Sequence, residues 1–424
     1  MNFSQSWRYK IETLSPVHIG TGEQLTALEY HIVERPGDEE KQFALPDLSR
    51  LFAAKPKEAE LFGRKLAGVA AESLAQKSLK DFLSVLLLNN PAYHCYTLPF
   101  LEDAATYLMN EQQRGQGQVR VATRTPAYEA YIPGSSLKGA FRTAWAYHQI
   151  KHAQAADRFQ LDQLVQAIHQ AEPRRKETTA DREITNTVFR APTNSDAGFD
   201  LFRCLQIGDT QPVPANEALS LVAERVLSAG VRTTQTKERD IHAAYKNYWL
   251  FLEAISENQR LSGRLQWADA LLNDNQAKKL LQWSESQKTF TLPQLIRAVN
   301  DFALDLIDWE LDYLDQIPAD HQQVGVNDIY NFYLSLQKKI DADSDTTCWF
   351  SLGHGSGWHK LTIGLLLEQH LASTQFSALR QALRLADRHT EFVYPKSRKL
   401  AMHNAQDAYA PFGWVKFQLQ EDTK

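Results

Sequence analysis

A chain of 424 residues, 43% hydrophobic and 23% charged, has the balance of a soluble globular protein and is long enough for two domains of ordinary size. Its net charge of −5 argues against a basic coat for non-specific nucleic-acid binding, while leaving room for RNA held in a local groove. Cys95, Cys204 and Cys348 lie far apart in no paired spacing, which supports neither a zinc site nor a disulfide framework, and no metal or other cofactor is expected. The most apolar run, Phe82 to Leu88, stops at Asn89-Asn90-Pro91, short of membrane length. Ser4, Gln5, Ser6, Arg8 and Lys10 interrupt any signal-peptide core, so a cytoplasmic protein without membrane partners is expected.

In chain order, Trp7, Tyr9 and Ile11 alternate with charged residues, the period of a half-buried strand. A glycine-bearing loop, Leu14 to Gly22, follows and contains His18 and Gly20; alternation at Leu28, Tyr30 and Ile32 then predicts a second strand. Phe43 to Phe52 reads as a strand end, a proline turn and a helix capped by Asp47. Residues 56–90 read as helices with Leu74, Leu79, Phe82, Leu83, Leu86 and Leu87 on an apolar face. Residues 114–124 form a flexible loop feeding a strand.

That strand leads to Tyr131-Ile132-Pro133-Gly134-Ser135-Ser136-Leu137-Lys138-Gly139-Ala140-Phe141-Arg142-Thr143-Ala144-Trp145. Pro133-Gly134 forces a turn, and Ser135 or Ser136 is placed to cap a helix that buries Leu137, Phe141, Ala144, Trp145 and His148 on one face. Lys138 and Arg142, four apart, stand on a neighbouring stripe near the positive helix end, an arrangement that suits a phosphate; solvated charges on an ordinary capped helix are the alternative. His148 and His152 form a helical surface pair. Residues 171–198 read as a mobile insertion carrying Arg174, Arg175 and Lys176, and Phe199 to Asp209 as a strand whose two aspartates act as caps or in salt bridges.

Residues 248–267 give a hairpin signal around Ser256-Glu257-Asn258, and 293–315 a helix. Asp341 to Asp345 mimics a calcium loop without its glycine or its closing glutamate. Cys348 to Ile363 reads as strand, glycine loop and helix, with Gly353, Gly355 and Gly357 alternating before Lys360; the spacing fits neither dinucleotide nor nucleotide loops. A basic cluster, Lys396, Arg398 and Lys399, precedes a final edge strand after Pro411.

The run IPGSSLKGAFRTA resembles the signature segment of the RAMP proteins, the RNA-binding subunits of CRISPR effector complexes. The opening LSPVHIGTG, the segment 199–209, the lead-in from Val231, the glycine loop and both C-terminal motifs are similar to the Csm-type (type III-A) branch, specifically the fifth subunit, which caps the guide RNA 3′ end. The lead-in departs from the usual pattern at Gln235 to Asp240, which puts a duplex-prying thumb in doubt.

This resemblance implies an α+β chain of two ferredoxin-like (RRM-like) RAMP domains with helical insertions. They would span 1–215, with an insertion about 153–200, and 230–424. It implies a non-catalytic subunit that binds crRNA through phosphate and ribose contacts and supports its maturation in antiviral defence. Its partners would be the neighbouring backbone RAMP subunit and the small helical subunit, with target RNA met indirectly. RNA contacts are expected from His18, Gly20, Ser135, Ser136, Lys138 and Arg142, and from Gly355, Gly357, Lys360, Lys396, Arg398 and Lys399. The RNP aromatics of true RRM domains are absent, so base stacking on a sheet is not expected. Alternatives are a metal-independent endoribonuclease using His18, His354 or His359, a Cmr-type subunit, and a scaffold that meets RNA only through its neighbours.

Overall fold

The alternation at Trp7, Tyr9 and Ile11 forms β1 (Gln5–Thr13), with Tyr9 and Ile11 fully buried and Arg8 and Lys10 exposed. The computed structural model describes residues 4–34, 40–153, 161–172, 174–192, 194–233, 239–317, 325–385 and 394–421. The further strands of the first half are β2 (Gly20–Leu25), β3 (His31–Val33), β4 (Gln42–Pro46), β5 (His94–Pro99), β6 (Val119–Ala122), β7 (Glu129–Ala130) and β8 (Leu205–Ile207). Those of the second half are β9 (Val213–Pro214), β10 (Leu219–Thr233), β11 (Arg239–Tyr245), β12 (Leu250–Ile255), β13 (Arg260–Trp267), β14 (Thr347–Ser351), β15 (Ser397–Met402), β16 (Ala408–Pro411) and β17 (Trp414–Glu421).

Two large sheets organise the α+β fold. The first runs β14-β17-β1-β13-β8, and the second β16-β15-β10-β12-β6-β2, with β11 paired to β10. A smaller sheet, β3-β4-β5, carries the N-terminal helical segments. Both large sheets take strands from each side of the expected boundary, since β1 is paired with β13 on one edge and β17 on the other. The segments 1–215 and 230–424 therefore do not each own a sheet.

The motif helix (Gly134–Lys151) and the long helix (Leu292–Asp315) cover the inner face of the first sheet. Phe141 meets Phe350 and Phe417 edge-on, each at 5.2 Å between centroids, and Tyr147 packs on Phe302 at 4.5 Å. The long helix fulfils its pattern, burying Leu295, Ile296, Val299, Phe302, Leu306 and Ile307, and Thr291 caps it through Gln294 N–H. Asp47 caps the helix Leu48–Ala54 as expected, accepting from Arg50 N–H at 2.9 Å.

Several local readings change. The expected hairpin over 248–267 is two consecutive strands in different sheets: β12 pairs with β10 and β6, whereas β13 pairs with β1 and β8. Burial explains the split. Phe251 to Ile255 are all buried, so β12 suits a central position with partners on both edges, while β13 alternates and suits a half-exposed sheet. The loop expected to Gly22 already becomes strand at Gly20, and the second strand shortens to His31–Val33. β17 is interior, between β14 and β1, rather than an edge.

Residues 199–204 are 3-10 turns, leaving only Leu205–Ile207 as strand. The helical reading of 56–90 holds in pieces, with Leu79, Phe82 and Leu83 buried but Leu86 exposed. Much of the insertion expected to lack a core is helical, and it buries Val188 and Phe189. The degenerate lead-in spans the arms of the β10-β11 hairpin, and its residues 234–238 lie outside the described residues. Among the described residues no helix is long and apolar enough to cross a membrane.

Candidate nucleic-acid interface

The His18 loop and the glycine loop, far apart in sequence, meet along a seam beside the second sheet. His354 N–H donates to His18 O at 2.8 Å, and Gly413 N–H donates to Pro16 O at 2.9 Å. The contact demands glycine at its centre. Gly353 has φ +72°, and a Cβ there would stand 2.4 Å from His18 O; at Gly355 (φ +82°) it would press Phe412 at 2.9 Å.

His18 Nδ1 lies 2.7 Å from the Glu253 carbonyl, which only accepts, so Nδ1 carries the proton and Nε2 a lone pair. Burial lowers the His18 pKa to about 4 against the pull of that carbonyl, with His354, Arg120 and Lys399 adding to the drop. The His18 and His354 rings stand edge to face at 5.6 Å, and His354 Nε2 meets the fully buried Glu224 carboxylate at 2.5 Å. Beside this buried set, Lys399 is exposed and Arg120 half-buried. Lys396 is exposed too, but it borders a cavity with Ser228, Ala229 and His242 of the β10-β11 hairpin. Desolvation lowers the Lys399 pKa, Glu224 opposes the drop and Arg120 adds to it, which places the three groups within electrostatic reach of one another. The seam thus combines a buried acid and two histidines with a cationic rim.

The central motif is built differently. Pro133 occupies the N-cap position, so Ser135 and Ser136 lie within the first turn instead of capping it. The helix N-terminus is served from outside, because Gly134 N–H donates to Asp209 Oδ1 at 2.8 Å. A Cβ on Gly134 would come within 2.2 Å of Ile207 O, so glycine here permits the helix to abut β8. Lys138 Nζ donates to Leu205 O at 2.7 Å, and burial lowers its pKa. Arg142 makes a bidentate pair with Asp200, both bonds 2.9 Å, and lies 3.6 Å over the Phe189 ring. The two expected aspartates are thus a cap and a salt bridge, and both motif cations hold the 199–209 segment.

Lys360 and Arg398 are interior too. Glu310 receives Arg398 Nε at 2.6 Å and Lys360 Nζ at 3.3 Å, beneath Trp309, Tyr313, Tyr333 and Trp414. Burial raises the Glu310 carboxyl, but the two cations outweigh it and hold it below its usual range. Both were expected to face RNA, and burial in this ion triad removes them from the surface. Gly20 and Gly357 remain exposed, and Gly355 is half-buried.

The RAMP superfamily family model matches residues 10–346. The chain belongs to the RAMP superfamily. Its fold is similar to a chain of the Csm-crRNA-target RNA ternary complex of a type III-A CRISPR-Cas system, solved by cryo-EM. Identity is 21% over 98% of this chain and 100% of that one, with TM-score 0.60. It is also similar to the crystal structure of T. onnurineus Csm5, at 20% identity over 96% and 99% of the two chains, with TM-score 0.57. No curated protein matches the sequence.

In this RAMP chain, sequence reasoning missed Arg120 and Glu224. Arg120 was visible as a polar position in the alternating strand Val119–Ala122, but only its pairing with Gln24 of β2 and Leu252 of β12 brings it near His18. Glu224 sits inside the long strand β10 and gave no signal, because its partner His354 lies in the glycine loop. A second basic area lies on the outer face of the first sheet, where Arg8, Lys10 and Arg264 border a cavity of about 430 Å³.

Proposed function

We propose that this RAMP protein is the non-catalytic subunit of a type III-A (Csm) ribonucleoprotein that holds the 3′ part of the crRNA and closes one end of the backbone filament. The observation that carries this reading is the seam: two loops locked by glycine, with Lys399 and Arg120 on its rim. Correspondence over nearly the full length of a chain from a Csm-crRNA-target RNA complex supports the same reading. Exposed lysines and backbone amides of loops grip phosphate and ribose without reading bases, which suits a guide whose sequence varies.

Its partners are crRNA, the neighbouring backbone RAMP subunit and the small helical subunit. The non-catalytic reading rests on access. His18 is 4% exposed, the His354 side chain is 10% exposed, and each has a protein partner, whereas RNA cleavage needs a base within hydrogen-bond reach of a 2′-hydroxyl. The test is a tagged purification from the native host, with sequencing of bound RNA. A multi-subunit particle is expected, with guide RNAs shortened or lost at the 3′ end when Lys399→Glu and Arg120→Glu are combined. A chain recovered alone and free of RNA overturns the assignment.

A further inference from the structure

Away from the seam, the C-terminal end of the motif helix faces the long helix across a cluster that neither the RNA-binding reading nor the family match assigns. His148 and His152 lie one turn apart, their ring centroids separated by 4.4 Å, and Asp301 of the long helix completes the group. One ligand atom from each of the three lies within 4.8 Å of the others. His148 Nδ1 stands 3.0 Å from Asp301 Oδ2, yet the ring does not direct its N–H at the oxygen, and this buried nitrogen is left without a hydrogen bond.

The neighbouring acid cannot be the missing partner. Asp305, one turn further along the long helix, is engaged by Tyr147 Oη at 2.8 Å and by Lys151 Nζ. Asp301 is therefore the carboxylate left to the histidines, and His152 is exposed, which gives an ion a way in from solvent.

We propose that His148, His152 and Asp301 bind one divalent transition ion of the zinc, cobalt or nickel class, clasping the motif helix to the long helix. Two imidazoles and one carboxylate select borderline ions over magnesium and calcium, which prefer all-oxygen surroundings. Nitrogen and carboxylate ligands stand about 2.1 Å from such an ion, so a small rotation of one side chain brings the three donors together. Water fills the remaining position. The clasp would tie the C-terminal end of the helix whose N-terminal end is pinned by Asp209.

The test uses the full chain, stripped with a chelator and titrated with Co²⁺ followed by absorption and with Zn²⁺ followed by calorimetry. One equivalent should bind, a tenfold excess of Mg²⁺ should not displace it, and the unfolding midpoint should rise with Zn²⁺ concentration. His152→Gln, at an exposed position, should leave the metal-free midpoint unchanged and weaken Zn²⁺ binding by about tenfold or more. Asp301→Asn should weaken it as well. Binding that is unaltered in His152→Gln, that Mg²⁺ abolishes, or that is absent from the wild type overturns the site.

Discussion

The motif helix and the glycine-loop seam both bring cations and glycines together, yet they use them in opposite ways. At the motif, each cation has an internal partner: Lys138 the Leu205 carbonyl, Arg142 the Asp200 carboxylate. At the seam the acid is buried beneath and the rim cation Lys399 faces outward, with Arg120 half-buried beside it. A cation in a family motif therefore says little about RNA until its counter-charge is located, since an internal acid converts a binding group into a structural one.

The sharpest way to break this contrast is to remove an internal acid. Glu310→Ala leaves Lys360 and Arg398 buried without a counter-charge, and a loss of about 4 kcal/mol in denaturant unfolding, or failure to fold, is expected. A loss under about 1 kcal/mol would mean that the triad is not a structural unit.

The buried side of the seam should appear as a pH dependence. His18 titrates near 4 in the fold against 6.5 ordinarily, so the unfolded chain takes up more protons between those values. Stability should be full above pH 6.5 and fall as pH drops towards 4, by about 3 kcal/mol in all. Burial lowers His31 and His359 too, so the His18 share is the part of the slope that disappears in His18→Gln.

A smaller effect is expected at the motif itself. Arg142→Ala removes a bidentate pair and the Phe189 contact at a partly buried site, and should cost about 2 kcal/mol of stability while leaving the salt dependence of RNA binding unchanged. The converse holds on the rim. Lys399→Ala with Arg120→Ala should change stability by less than about 0.5 kcal/mol but reduce the slope of log affinity against log salt by about one for each cation removed. If the slope instead falls in Arg142→Ala and stays constant in the rim variant, the roles assigned to the two regions are reversed.

Much of this fold was legible because period and turn chemistry are local. The strand at Trp7, Tyr9 and Ile11, the cap at Asp47, the long helix from Leu292 and the strand, glycine loop and helix after Thr347 all follow from neighbouring residues. What sequence could not supply was partnership across the chain. β12 and β13 carry the signature of a hairpin, but their edges are claimed by β10, β6, β1 and β8. Lys360 and Arg398 read as surface charges because Glu310, which buries them, sits on the face of a helix that otherwise reads as apolar. Asp301 likewise meets His148 only once the two helices pack. The meeting of the His18 loop with the glycine loop, and the approach of Arg120 and Glu224 to it, depend on contacts between distant segments that no local pattern carries.

The place of β17 bears on how the chain matures during synthesis. Val415, Phe417 and Leu419 close the first sheet between β14 and β1, so strand β1, made first, has no neighbour on that edge until the chain is made through residue 421. This sheet is complete only once β17 has been made, and its many distant pairings make for slow folding. Until then β1 has an open edge and unburied aromatics, and a nascent chain in that condition is a natural client for chaperones.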